Sequence, residues 1–238
     1  MRAIDIYGGK DPREIPNYSA GDAARYLNIP VSTIRSWTVG SRYRVTQGHR
    51  KFEPVIVTKH RKPLRLTFIN LIEIHVLRAI RQHHKINLGK VRTALDYIDK
   101  EFKILYPLAH QIFLTDGVDL FIERYGQLIN ASEQRQMSLK SAIKAHLERI
   151  EPDDKGLAIK LFPFTRNEER DNPRIVAIDP RIAFGRMVIA GTGITTDIIA
   201  ERFWAGDSYE QLASDYECDL EKIEEAIRCE SRYSRIAA

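Results

Sequence analysis

The chain has 238 residues, 43% of them hydrophobic and 29% charged, with a formal net charge of +5. These values exclude wholesale disorder and allow a sizeable core in one domain or two. No apolar run approaches the roughly 18 residues that a membrane-spanning helix needs.

The charge is unevenly spread. Residues 1–110 hold 20 Lys and Arg against 9 Asp and Glu, whereas the remainder holds 17 against 23. A basic front can meet a polyanion that an acidic rear would repel. The opening stretch MRAIDIYGGKDPREI carries acids and no apolar signal core, so a cytoplasmic location is expected. Cys218 and Cys229 stand eleven residues apart and suggest no disulfide framework.

In chain order, the first helical pattern runs from Gly21 to Leu27, with Ala23, Ala24 and Leu27 on its apolar side. Ser19 precedes Asp22 by three, a capping box with Asp in place of Glu. Asn28 breaks the pattern, and Pro30-Val31-Ser32 starts a second helix with Ser32 as its expected cap. Val31, Ile34 and Trp37 would pack inward, leaving Ser32, Thr33, Arg35 and Ser36 on the other face. Gly40 closes the unit. A basic loop with Arg42, Arg44, Arg50 and Lys51 follows. Then come VIV at 55–57, a tip KHRKP at 59–63 and LRLTF at 64–68, predicted as strand, charged turn and strand. Two longer helices are predicted at about Ile69–His83 and Leu88–Phe102.

Between residues 110 and 165 the pattern is less regular. QIFLTD, VDLFIER and GQLINAS are read as short strands joined at Asp116-Gly117 and Gly126. MSLKSAIKAHLERI, 137–150, suits a helix, and GLAIKLFPF, 156–164, a strand. The polar TRNEERDNP at 165–173 marks a boundary or exposed loop. Beyond it, RIVAIDPRIAFGRMVIAGTGI leads into three helical runs, with Thr196, Ser208 and Asp219 as candidate caps and Gly206 ending the first. The expected fold is mainly α with small β elements. A winged helix-turn-helix at 1–102 precedes a mixed α/β linker or subdomain at 103–173 and a three-helix, helix-turn-helix-like domain at 174–238.

The two ends echo each other. Adding 189 to Ser19, Ala24, Leu27, Ile29 and Ile34 reaches Ser208, Ala213, Tyr216, Cys218 and Ile223. The same offset turns Arg35 into Glu224 and Ser36 into Glu225, and Glu221 adds a third acid. Repulsion from phosphates makes this second copy a poor groove reader and a better partner surface.

The front pattern suits DNA. Arg35 can pair with guanine, Ser32 and Thr33 can contact base edges or phosphates, and the basic tip can grip the backbone. Trp37 reads as core packing. No catalytic constellation competes with this reading. AFGRMVIAGTGI lacks the ending of a phosphate loop, and neither H-E-x-x-H nor G-x-S-x-G occurs. His83-His84 has no second ligand pair at useful spacing. Asp96 with Asp99, and Asp215 with Asp219, are explained as surface charge. No enzyme, cofactor or metal is expected.

SAGDAARYLNIPVSTIRSW, followed by a winged segment and two helices, resembles the N-terminal DNA-binding domain of the MerR family of regulators through Thr33, Ile34, Arg35 and Trp37. The resemblance implies a groove role for Ser32, Thr33 and Arg35 and a wing role for Arg61 and Lys62. The candidate DNA-binding set is Ser32, Thr33, Arg35, Ser36, Arg42, Arg44, Lys59, Arg61 and Lys62. The rear resembles a small family of helix-turn-helix domains of formerly unknown function found in VapB-like antitoxins. Asp179-Pro180, Ile182, Gly185, Ile189, Gly191-Thr192, Ile194, Gly206, Ser208, Glu210, Leu212, Ala213, Tyr216 and Ile223 carry it, while Met187 and Gly193 depart from it.

That second resemblance implies a homodimeric antitoxin that neutralises a PIN-like ribonuclease toxin and represses its own operon by binding operator DNA. Candidate dimer or partner residues are Ile198, Phe203, Trp204, Tyr209, Ile223 and Ile227. The alternatives are a free-standing transcription regulator with no toxin and a protein-only adaptor.

Overall fold

The computed structural model describes residues 7–45, 48–82, 88–103, 106–129, 131–166 and 172–234. Helix α1 spans Ala20–Leu27 and α2 spans Val31–Val39. The capping box forms as expected: Asp22 N–H donates to Ser19 Oγ at 3.0 Å and Ser19 N–H to Asp22 Oδ2 at 2.8 Å. The cap of α2 differs from expectation. Pro30 occupies that position, and its carbonyl accepts the amides of Thr33 and Ile34. Ser32 is thereby the second residue of the helix, with its side chain exposed rather than engaged as a cap.

Two small hairpins follow. Strands β1 (Ser41–Val45) and β2 (Gly48–Phe52) pair antiparallel, as do β3 (His60–Arg61) and β4 (Leu64–Arg65). Val55–Val57, predicted as a strand, is not one. The amides of Val55 and Ile56 both donate to the Trp37 carbonyl at the end of α2, at 2.9 and 3.0 Å. That cap takes the donors a ladder would need. The hairpin therefore tightens to four paired residues around Lys62-Pro63, and the preceding basic loop forms the longer ladder.

Helices α3 (Phe68–Gln82) and α4 (Leu88–Phe102) lie where their periodicity predicts. His83-His84 falls outside the described residues. The stretch predicted as strands is helical instead over residues 111–129. A π-helical turn at Phe113–Gly117 runs into α5 (Val118–Ile129), and α6 spans Glu133–Leu147. Buried Val118, Phe121, Ile122 and Tyr125 recur at three- and four-residue intervals, which closes one helical face. Phe121 and Tyr125 stack with centroids 5.7 Å apart. Gly126 is not a turn: a Cβ there would lie 2.7 Å from Gln136, so its missing side chain admits α6. Helix α3 packs on α6, α4 on α5, and α5 on α6. Short strand β5 (Ile150–Pro152) follows, and β6 (Ala158–Leu161) completes the run of strands before residue 165.

Contacts divide the chain into Met1–Ile159 and Lys160–Ala238. In the second unit, β7 (Val176–Ile178) pairs antiparallel with β8 (Met187–Ile189). Helices α7 (Thr196–Trp204), α8 (Tyr209–Asp215) and α9 (Leu220–Ser234) enclose Ile189, Ile199, Leu212, Ile223, Ala226 and Ile227. Thr195, not Thr196, occupies the cap position of α7, and the buried Thr196 donates to Glu230 at 2.6 Å. The fold is mainly helical with small sheets and a helix-turn-helix at its front.

Candidate nucleic-acid interface

The front helix-turn-helix is held from behind. Ile34 and Trp37 are 0% and 2% exposed, and Thr38 donates to the Ile34 carbonyl at 2.8 Å. Trp37 is core, so its ring is not offered to bases. Arg78 on α3 donates to the Leu27 carbonyl, securing the end of α1. Arg92 on α4 donates to the carbonyls of Glu53 and Pro54, fixing the chain just beyond the longer hairpin. Tyr18 and Leu66 exchange backbone hydrogen bonds of 3.0 and 2.8 Å, which ties the approach to α1 to the end of the shorter hairpin.

This scaffold leaves one face of α2 outward. Ser32 and Arg35 are exposed, Thr33 and Ser36 half-buried, and Val39 is 42% exposed. Lys59, His60, Arg61, Lys62 and Arg65 are all exposed around the shorter hairpin. The longer hairpin pairs Arg42 with Lys51 and Arg44 with His49. The side chains of Arg42 and Arg44 lie outside the described set. Among the candidate DNA-binding residues, Ser32, Thr33, Arg35 and Ser36 share the outward side of α2, while Lys59, Arg61 and Lys62 share the short hairpin. The candidate set lacks Val39, whose signal is its position seven residues beyond Ser32. It also lacks His49 and Lys51, which strand register brings beside Arg44 and Arg42.

The rear repeats the front turn in its hydrogen bonds. Asn28 and Glu217 both adopt left-handed backbone, at φ 51° and 50°. Ile29 N–H donates to Ala24 O at 3.1 Å, and Cys218 N–H to Ala213 O at 3.0 Å. Ile34 N–H donates to Pro30 O at 3.2 Å, and Ile223 N–H to Asp219 O at 3.3 Å. Ser208 forms a capping box with Gln211, as Ser19 does with Asp22. The same 189-residue offset thus relates two helix-turn-helix units as well as two sequences.

Their outward faces differ in charge. Glu221 and Glu224 are exposed where the front has Ser32 and Arg35. Glu225, at the position of Ser36, is 1% exposed and accepts from Thr165 at 2.5 Å and Arg166 at 2.9 Å. Residues 165–166 therefore cover the rear helix at a position that is half-buried in the front.

Among the candidate partner residues, Ile198 and Trp204 are 43% and 53% exposed. Phe203 and Tyr209 are half-buried and pack on the core, with ring centroids 4.6 Å apart. Ile223 and Ile227 fill that core, which removes them from an exposed interface. The spacing of α9 supplies both its core and its surface stripe, and these two isoleucines belong to the former. Among the described residues, no group of three His, Cys, Asp or Glu side chains could hold a metal ion, and no helix is long and apolar enough to cross a membrane.

Residues 16–95 match the family described as "Putative DNA-binding HTH domain", and residues 176–228 match "Protein of unknown function (DUF433)". The chain is 26% identical over 231 residues to "Putative antitoxin VapB45" of Mycobacterium tuberculosis, covering 90% of this chain and 93% of that protein. It is 23% identical to "Uncharacterized protein Rv2308" of the same organism, covering 93% and 92% of the two chains. The crystal structure of Rv2018 from Mycobacterium tuberculosis has a similar fold, with a TM-score of 0.66, 22% identity, and coverage of 90% of this chain and 98% of that one.

Proposed function

We propose that this chain is a cytoplasmic antitoxin that binds operator DNA to repress its own operon and neutralises a PIN-like ribonuclease toxin. The observation that carries the DNA part is the exposed stripe of α2, in a unit whose short hairpin also exposes Lys59, Arg61 and Lys62 and whose scaffold buries Trp37. A helix-turn-helix reads bases from the outward face of its second helix, and flanking cations take phosphates. The order of helix pair, hairpins, α3 and α4 suits the MerR-like winged arrangement. The near full-length similarity to a protein named as an antitoxin supports the toxin part.

A homodimer would place two front units on an inverted repeat and couple their affinities. Exposed Ile198 and Trp204 on α7 are the surface assigned to that dimer or to the toxin. Affinity capture of the full chain from its native cells, followed by mass spectrometry, tests the assignment. A stoichiometric small nuclease is expected. Retention of specific DNA with no nuclease would instead favour a free-standing regulator.

A further inference from the structure

The outward stripe of α2 ends in an apolar residue. Ser32, Arg35, Ser36 and Val39 follow the spacing i, i+3, i+4, i+7, which is the spacing by which the third helix of a homeodomain reads its site. Ile34, Trp37 and Thr38 supply the inward contacts on this part of the helix, and Val39 remains 42% exposed. Valine is a weak helix former, so its presence on this stripe gains little for the helix itself.

We propose that Val39 recognises a thymine methyl group in the major groove, about two base-pair steps from the base read by Arg35. The four residues from Arg35 to Val39 advance about 6 Å along the helix, close to two steps of about 3.4 Å. Of the four base-pair faces in that groove, those with thymine offer a C5-methyl group, where cytosine has only a hydrogen beside its amino donor. An isopropyl group gains from covering a methyl and loses by desolvating a donor or acceptor. Exposed Arg35 on one side and Lys59, Arg61 and Lys62 on the hairpin supply the charge that holds the helix against DNA. This inference rests on the reading of the front unit as a DNA reader.

The test begins with selection of duplexes from a randomised pool by the full-length protein. Each thymine of the enriched sequence is then replaced by deoxyuridine, which removes only the methyl group. One thymine in each half-site should weaken wild-type binding by about fourfold when so replaced. Val39→Ala should bind the thymine and deoxyuridine duplexes equally, and Arg35→Ala should lose preference at a different base pair. Binding that depends on Arg35 but ignores every deoxyuridine replacement overturns the role of Val39 and leaves the DNA reading intact. The same result follows if Val39→Ala keeps the wild-type sensitivity. Failure to enrich any sequence overturns both.

Discussion

Lys62 and Arg61 sit on a tip only four paired residues long, with side chains in solvent. Such side chains suit phosphates, which carry no sequence information. Arg61→Ala with Lys62→Ala should therefore weaken binding to all duplexes by a similar factor and lower the slope of log affinity against log salt by about two units. Titrations at several salt concentrations check this; a loss confined to one sequence would assign the tip to base reading instead. At this scale the sequence was informative where local chemistry decides. Ser19 and Asp22 form their capping box because both partners lie within one turn. The cap of α2 was misread because Pro30, with no polar side chain, closes the helix through its carbonyl alone. Val39 carries no polar signal, so only its 42% exposure sets it apart.

Elements of strong period were legible, and those whose face is closed by aromatic and β-branched residues were not. Helix α4 begins and ends where its periodicity places it, whereas the Phe, Ile and Val content of α5 imitates strands until tertiary packing selects the helical face. The longer hairpin reads as a basic loop because its cations outnumber its apolar residues, although Tyr43 and Val45 alternate with Arg42 and Arg44 in its first strand. Packing also creates a pH response. His75 on α3 and His146 on α6 are 1% and 0% exposed, with rings 4.8 Å apart and His75 Nε2 3.0 Å from the His146 carbonyl. Burial holds the His75 imidazole well below the ordinary histidine range, helped by repulsion from His146, Arg78 and Arg149. As pH falls through about 6.5 the unfolded chain takes up a proton that the native chain refuses, so stability declines. Glu73, whose carboxyl burial pushes up to about 7, works in the opposite direction. Native proton uptake there stabilises the fold as pH falls from about 7 toward about 4.5. The diagnostic is therefore the difference between wild type and His75→Phe in denaturant unfolding from pH 7.5 to 5.5. Wild type should lose more stability over that interval than the variant; equal slopes would contradict the assignment to His75.

The two helix-turn-helix units show how one backbone serves opposite electrostatics. Residues 19–65 hold ten Lys and Arg against two acids, while residues 208–230 hold eight acids against two Lys and Arg. The rear turn keeps the bonds of the front, so its unsuitability for DNA lies in side chains. Glu224→Arg with Glu221→Ser installs the front residues on α9, and it should raise affinity for unrelated duplex and steepen the salt slope by about one unit. Gel-shift titrations with a mixed-sequence duplex check this. An unchanged slope would mean that α9 cannot approach DNA whatever its charge, as the cover of residues 165–166 over Glu225 would then explain. This charge division was visible in the sequence before any contact was known, because counting charge requires no fold.

Titration of wild type and Arg35→Ala against the DNA upstream of this protein's own gene and against a scrambled duplex, at about 0.15 M salt, decides whether the outward face of α2 reads DNA. Arg35→Ala should weaken binding to the upstream duplex by about 1–3 kcal/mol and leave the scrambled duplex little affected. Equal loss on both duplexes would make Arg35 a phosphate contact, and wild-type binding that fails to distinguish the two would refute base reading by α2.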